Sequence, residues 1–162
     1  MADGLRILVD SCVWVDSYLG DHPRHDESLA FLRKAREHGA TLLYGSSKLE
    51  TLFYILAAEM KRMVRAEKGS VSEADARAAR AFAWGCIENV QELATAVGMD
   101  TGDLWLASKY RSIGGDFEDN VLLAAAKRSG ADYVVTWDRE LLTAPVAKMA
   151  TPTDMVALLD LP

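Results

Sequence analysis

The sequence predicts an α/β fold built on a mainly parallel sheet. Two observations carry that prediction. Short apolar runs rich in branched residues (LRILV, TLLY, DYVVT) recur along the chain, and each is followed by a segment with helical spacing of its apolar positions. Such runs read as strands buried on both faces, and their alternation with helices is the pattern of parallel strands joined by helical crossovers. The 162 residues are half hydrophobic, 26% charged and contain four prolines, with no repeat, low-complexity tract or linker. That is the size and make-up of one domain spanning 1–162 with a sizeable core.

The elements follow in order. Leu5 to Val9 is a buried strand ending at Asp10. Cys12 to Leu19 forms a short helix, and Gly20 to Pro23 a turn. Asp26 to His38 carries Leu29, Phe31, Leu32 and Ala35 at helical spacing and stops at Gly39. Thr41 to Tyr44 is the second strand. A long helix runs from about Ser47 to Lys68, with Leu49, Leu52, Phe53, Leu56 and Met60 on one face, and Gly69-Ser70 breaks it. Ser72-Glu73-Ala74-Asp75 has the form of a capping box opening a helix to about Ile87. Val90 to Val97 has room for a short strand. Leu104 to Tyr110 is helical, ending before Gly114-Gly115. Phe117 to Ser129 is a helix stopped by Gly130. Asp132 to Thr136 is the third clear strand, Asp138 to Leu142 a short helix, Val146 to Ala150 a last strand, and Pro152 at a first helical position opens a terminal helix to Leu159.

Composition removes several function classes. The net charge is −6, so the chain is not one that coats nucleic acid non-specifically, which needs an excess of cations. No apolar run approaches a membrane span, and Met1-Ala2-Asp3-Gly4-Leu5-Arg6 lacks the basic and apolar regions of a secretory signal. Cys12 and Cys86 show no metal-ligand spacing and fit two reduced, partly buried thiols in a cytoplasmic protein. His22, His25 and His38 are the only histidines. The first two flank Pro23 in a polar stretch that reads as a solvated loop, so hydrolysis with a histidine base finds no support.

The acids are more informative. Asp10 ends the first strand, Glu50 lies in the first turn after the second, Asp116 and Asp119 surround the start of the 117–129 helix, and Asp138 follows the strand ending at Thr136. In a doubly wound sheet these strand ends and helix starts line one edge, where ligands bind. Crowded carboxylates repel, and some stay protonated unless a cation intervenes. Mg²⁺ favours oxygen ligands, keeps several waters, and can activate a water and stabilise the leaving oxygen of a phosphodiester. Each acid also has a local reading. Ser47 with Glu50 matches a capping box, Asp116 and Asp119 suit the N-cap and first turn of a helix, and Asp138 and Asp10 can cap the helices that follow them.

Four blocks together resemble the PIN-domain family: Ile7-Leu8-Val9-Asp10-Ser11, Ser46-Ser47-Lys48-Leu49-Glu50, Asp116-Phe117-Glu118-Asp119-Asn120 with Leu122 to Ala126, and Tyr133-Val134-Val135-Thr136-Trp137-Asp138. The closing Ala150-Thr151-Pro152-Thr153-Asp154 is also similar. The blocks come in the family's order and span about residues 5 to 160. The resemblance implies a three-layer α/β/α sandwich and a Mg²⁺- or Mn²⁺-dependent endoribonuclease, of the kind found as VapC-type toxins. It implies Asp10, Glu50, Asp119 and Asp138 as catalytic and metal-holding acids, with Asp116 as an additional metal ligand. Ser11 and Thr136 match hydroxyl positions near the site and read either as substrate contacts or as local backbone bonding. RNA as substrate, a cognate antitoxin protein and a homodimer are implied as partners.

Residues from about 60 to 98 form a longer helical section than the smallest such toxins need, read either as extra packing or as a partner or substrate surface. Within it Lys61, Arg65 and Lys68, with Arg62 adjacent, share a helix face that reads as a phosphate stripe or, more simply, as a solvated face. Trp137 offers either base stacking or packing, and Trp14, Trp84 and Trp105 read as core or interface. A non-catalytic PIN-fold module and a housekeeping PIN nuclease are the alternatives. A haloacid-dehalogenase-like phosphatase needs an acid two residues after its nucleophilic aspartate, and Cys12 stands there instead. A receiver domain needs an acid pair adjoining Asp10 and a late strand-ending lysine, and the sequence has neither. Five of the 24 acids belong to the proposed site, and the rest of the chain is near neutrality. Cutting RNA is therefore compatible with the acidic total.

Overall fold

The computed structural model describes residues 4–161; the reading of the extreme N-terminus and of a domain from 1 to 162 extends past them. Five strands form one parallel sheet: β1 (Arg6–Val9), β2 (Thr41–Gly45), β3 (Thr95–Val97), β4 (Tyr133–Val135) and β5 (Met149–Ala150), in the order β3-β2-β1-β4-β5. Seven helices connect them among the described residues: α1 (Ser11–Tyr18), α2 (His25–Glu37), α3 (Lys48–Lys68), α4 (Glu73–Leu93), α5 (Thr101–Lys109), α6 (Phe117–Ser129) and α7 (Pro152–Leu159).

Strand alternation divides the core into two layers. Ile7, Val9, Leu42, Tyr44 and Val135 point to one face of the sheet, where Trp14, Phe31, Leu52, Leu56, Ala83 and Met155 from α1, α2, α3, α4 and α7 cover them. Leu8, Leu43, Val97 and Val134 point to the other, where α6 and Tyr110 after α5 pack. The result is the three-layer sandwich that the sequence implies. α6 is buried along seven consecutive residues, Asn120 to Ala126, because the sheet lies against one side and α5 against the other. Ala124, Ala125 and Ala126 are small enough to allow both contacts.

Local chemistry accounts for most boundaries. α4, α5 and α7 each open on a reciprocal capping box, formed by Ser72 with Asp75, Asp100 with Asp103, and Thr151 with Asp154. α6 closes on Gly130 at φ +64°, a left-handed conformation that a side chain would oppose.

Four readings change. α4 runs to Leu93, so the strand in its wake is only Thr95–Val97. α5 starts at Thr101, because Asp100 caps it. The helix expected at 138–142 is a single 3-10 turn, Leu141–Thr143, since Asp138 spends its side chain on a turn. The last strand has two residues, enough to pair with Val134 and Val135.

The extended section around 60–98 comprises the end of α3, α4 and the edge strand β3. α3 and α4 pack as a helical hairpin, with the Phe53 and Trp84 rings 5.1 Å apart. On its basic face Arg62 pairs with Glu59 and Lys68 with Asp75, which favours the solvated reading. Trp14 is core, whereas Trp84 and Trp105 are exposed. His22 and His25 are half-buried and both bonded to Asp16, a more structured turn than the polar sequence implied. No helix among the described residues is long and apolar enough to cross a membrane.

Arg128 ties α6 to α5. Its Nε and Nη2 donate to the two oxygens of the fully buried Asp103, each at 2.8 Å, and Nη2 also donates to the Gly98 carbonyl. These bonds hold the Asp103 carboxyl below its ordinary range against the opposing effect of burial. Arg128→Ala removes the partner of a buried carboxylate. The expected loss is about 2 kcal/mol, less than for a fully buried pair because Arg128 is 40% exposed. Urea unfolding at neutral pH measures it. A carboxyl held low in the fold contributes stability above the ordinary carboxylate range and loses it as pH falls, so wild type and variant converge in acid.

Candidate active site

Parallel pairing of β1 with β4 sets Val9 opposite Val135, so the next residues, Asp10 and Thr136, emerge side by side at the C-terminal edge of the sheet. Asp10 is buried and caps α1. Its Oδ1 accepts from the Ser11 amide at 2.7 Å and the Ser11 hydroxyl at 3.3 Å. Its Oδ2 accepts from the Thr136 hydroxyl at 2.8 Å and the Cys12 thiol at 3.2 Å. The Thr136 Oγ1 accepts in turn from the Asp138 amide at 3.0 Å. One fully buried hydroxyl therefore fixes both the first and the last acid.

Asp138 is exposed, and its Oδ1 accepts from the Glu140 and Leu141 amides at 2.7 and 3.1 Å. Asp116, also exposed, caps α6 through bonds from the Glu118 and Asp119 amides. The capping readings of Asp10, Asp116 and Asp138 are thus real, and they coexist with clustering. Asp119, in the first turn of α6, feels the other three. Its carboxyl is pushed up to about 6, first by burial, then by the charges of Asp10, Asp116 and Asp138, while Lys48 acts in the opposite direction.

Glu50 is not among the charges that act on the Asp119 carboxyl. The capping box with Ser47 does not form, because Ser47 has helical backbone angles and makes no side-chain cap bond. Glu50 is exposed and lines an apolar groove between α3 and α4 with Leu49, Phe53, Tyr54, Trp84 and Ile87.

Three residues matter here that the sequence did not single out. Cys12 lies against Asp10, Thr136 and the Trp137 amide, and its thiol is pushed up to about 12 by burial and the Asp10 charge, which keeps it a neutral donor. Lys48 is a buried lysine at the start of α3. Asn120 is buried and donates to the Gly114 carbonyl at 2.9 Å, fixing the loop before α6. A lysine and an asparagine next to family acids were visible in the sequence; their burial was not. Trp137 is occupied by packing, since its indole donates to Ser28 Oγ at 2.9 Å and lies under Arg24. Ser11 and Thr136 spend their hydroxyls on Asp10, which is the local-bonding alternative.

The donor set is all oxygen, which suits a hard divalent cation, and the repulsion felt by Asp119 is what such an ion relieves. Among the described residues no three His, Cys, Asp or Glu side chains converge as tightly as a complete protein ligand set.

Open α/β proteins bind their ligands at the C-terminal edge of the sheet, at the point where the strand order diverges, and here that edge, beside β1 and β4, carries the clustered carboxylates. The PIN-domain family model matches residues 6–140, and the chain belongs to that family. Solved structures agree on the fold. VapBC2 from Rickettsia felis, bound to a DNA fragment from its promoter, contains a chain with TM-score 0.60 and 12% identity, covering 91% of this chain and 98% of that one. VapC20 of Mycobacterium tuberculosis, described as a sarcin-ricin-loop-cleaving toxin, gives 0.58 and 14%, covering 88% and 97%. PAE2754 from Pyrobaculum aerophilum gives 0.58 and 18%, covering 96% and 89%. No curated protein sequence matches the chain.

The raised Asp119 carboxyl gives a stability prediction. A folded-state value of about 6 against an ordinary value of 3.8 means that ionising Asp119 opposes folding. The penalty is present above about pH 6 and vanishes below about pH 4, where both states are protonated. Asp119→Asn is therefore expected to stabilise the metal-free protein by about 1–2 kcal/mol at pH 7 to 8, after allowance for solvent screening. Thermal melts across pH should show that gain shrinking to near zero in acid.

Proposed function

We propose that the protein is a divalent-metal-dependent endoribonuclease acting on RNA phosphodiester bonds, the toxin half of a toxin–antitoxin pair. One observation carries this reading: Asp10, Asp119 and Asp138, from three separate elements, gather with Asp116 at one sheet edge closely enough to disturb the Asp119 carboxyl. Membership of the PIN-domain family and the VapC-like fold support it. By analogy with VapBC2, the partner is a cognate antitoxin protein.

Asp10, Asp119 and Asp138 would hold Mg²⁺ or Mn²⁺, directly or through water, with Asp116 and Glu50 as further oxygen donors. When bound, the ion supplies an activated water and stabilises charge on the phosphate and the leaving oxygen. The chain's own residues prepare that chemistry. Thr136, Ser11 and Cys12 donate to Asp10, which keeps its carboxylate oriented. The Asp138 turn sets the last acid at a fixed offset from it. In-line attack by water is expected to leave 5′-phosphate and 3′-hydroxyl ends.

Asp10→Asn and Asp119→Asn keep the shape of the side chain and remove its charge. Each is expected to lower RNA cleavage by at least about a hundredfold, the usual scale for a lost catalytic group. Cleavage by wild type should cease with a chelator and return with Mn²⁺. Folded variants that cut as fast as wild type would sink this reading.

A further inference from the structure

Lysine is among the residues least often buried, and a buried ammonium needs a partner at all times. Lys48 is 8% exposed and has one ion-pair partner among the described residues, Glu118 Oε1 at 2.9 Å. That partner is a half-exposed side chain in the first turn of α6, immediately before Asp119. The Thr51 hydroxyl donates to the same Glu118 oxygen at 3.4 Å. The lysine stem packs over Gly45 at the end of β2, with Cγ 3.6 Å from where a Cβ on Gly45 would stand. So Lys48 has a fixed root, and its charged end is directed towards the acid cluster and held by a carboxylate that solvent reaches.

We propose that Lys48 binds a backbone phosphate of the RNA at the acid cluster, and that Glu118 occupies it until RNA arrives. The inference rests on the endoribonuclease reading and adds to it a specific substrate-binding residue. Its physics is an exchange. The ammonium trades a carboxylate oxygen for a phosphate oxygen, so it is never left buried without a partner, and Glu118 turns outward into water. The cation also answers the difficulty of bringing a polyanion to a cleft of four carboxylates. Its ion pair with Glu118, the residue before Asp119 in the first turn of α6, places its charge at the start of that helix.

The test is RNA binding, which a purely structural lysine would not affect in this way. Anisotropy of a fluorescein-labelled single-stranded RNA is followed against NaCl, with Ca²⁺ in place of Mg²⁺ to suppress cleavage. Wild type is compared with Lys48→Met, Lys48→Arg, Glu118→Gln and the Lys48→Met/Glu118→Gln double variant. Lys48→Met keeps the apolar stem. It should bind roughly tenfold more weakly, with the slope of log affinity against log salt reduced by about 0.7, the value for one lost phosphate contact on a single strand. Lys48→Arg should keep the slope. Glu118→Gln should bind about threefold more tightly, since the competing charge is gone, and that gain should vanish when Lys48 is Met.

A Lys48→Met slope equal to that of wild type, with a lower melting temperature, would make Lys48 a structural counter-ion and overturn the assignment. An equal gain from Glu118→Gln in both backgrounds would reduce it to simple charge removal and overturn the exchange. If wild type cleaves RNA in Mn²⁺ and either of these results holds, only the lysine assignment fails. If wild type neither binds nor cleaves RNA, the endoribonuclease reading fails and takes the assignment with it.

Discussion

The arrangement of this site depends on one buried hydroxyl. Thr136 accepts locally from the Asp138 amide and donates to Asp10, and it reaches Asp10 because β1 and β4 are adjacent and in the register that sets Val9 against Val135. A slip of one residue would carry Thr136 away from Asp10 and break the bond between them. The sheet register and the geometry of the first and last acids are therefore the same fact. The core on either side, Ile7, Val9 and Val135 under one helical layer and Leu8 and Val134 under the other, enforces that register.

The second constraint is charge. Asp10 has four donors on its two oxygens, whereas Asp119 has burial and three like charges against it. The same cluster thus holds one acid enclosed by donors and one whose ionisation burial and like charge oppose. Lys48 and Glu118 add a cation and a movable anion beside it. Without the four clustered acids the charge of the chain falls from −6 to 18 − 20 = −2.

Much of this was legible beforehand because the signals were local. Strands buried on both faces need unbroken apolar runs, and LRILV, TLLY and DYVVT are such runs. Ser72 caps α4 with Asp75 three positions away, as its spacing indicates, whereas the like boxes at Asp100 and Thr151 emerged only in the structure. Local rules also misled where several residues compete. Ser47 and Glu50 have capping-box spacing, yet Ser47 is already helical, which leaves Glu50 exposed on the α3–α4 groove. Asp138 looked like the start of a helix, but its carboxylate closes a turn instead. Cys12 and Lys48 carried no signal of their own, because a thiol or an ammonium acquires its role only from what burial places against it.

The sequence by itself determined the fold class and the family and nominated the acids, since apolar periodicity, helix caps and short motifs act over a few neighbouring residues. The tertiary structure decided which acids share a cleft, how Thr136 joins Asp10 to Asp138, why Asp119 resists ionisation and where Lys48 points. Those properties arise between residues more than a hundred positions apart in the case of Asp10 and Thr136. Burial and electrostatic coupling are set by distance in space, and only packing of the sheet against its two helical layers fixes those distances.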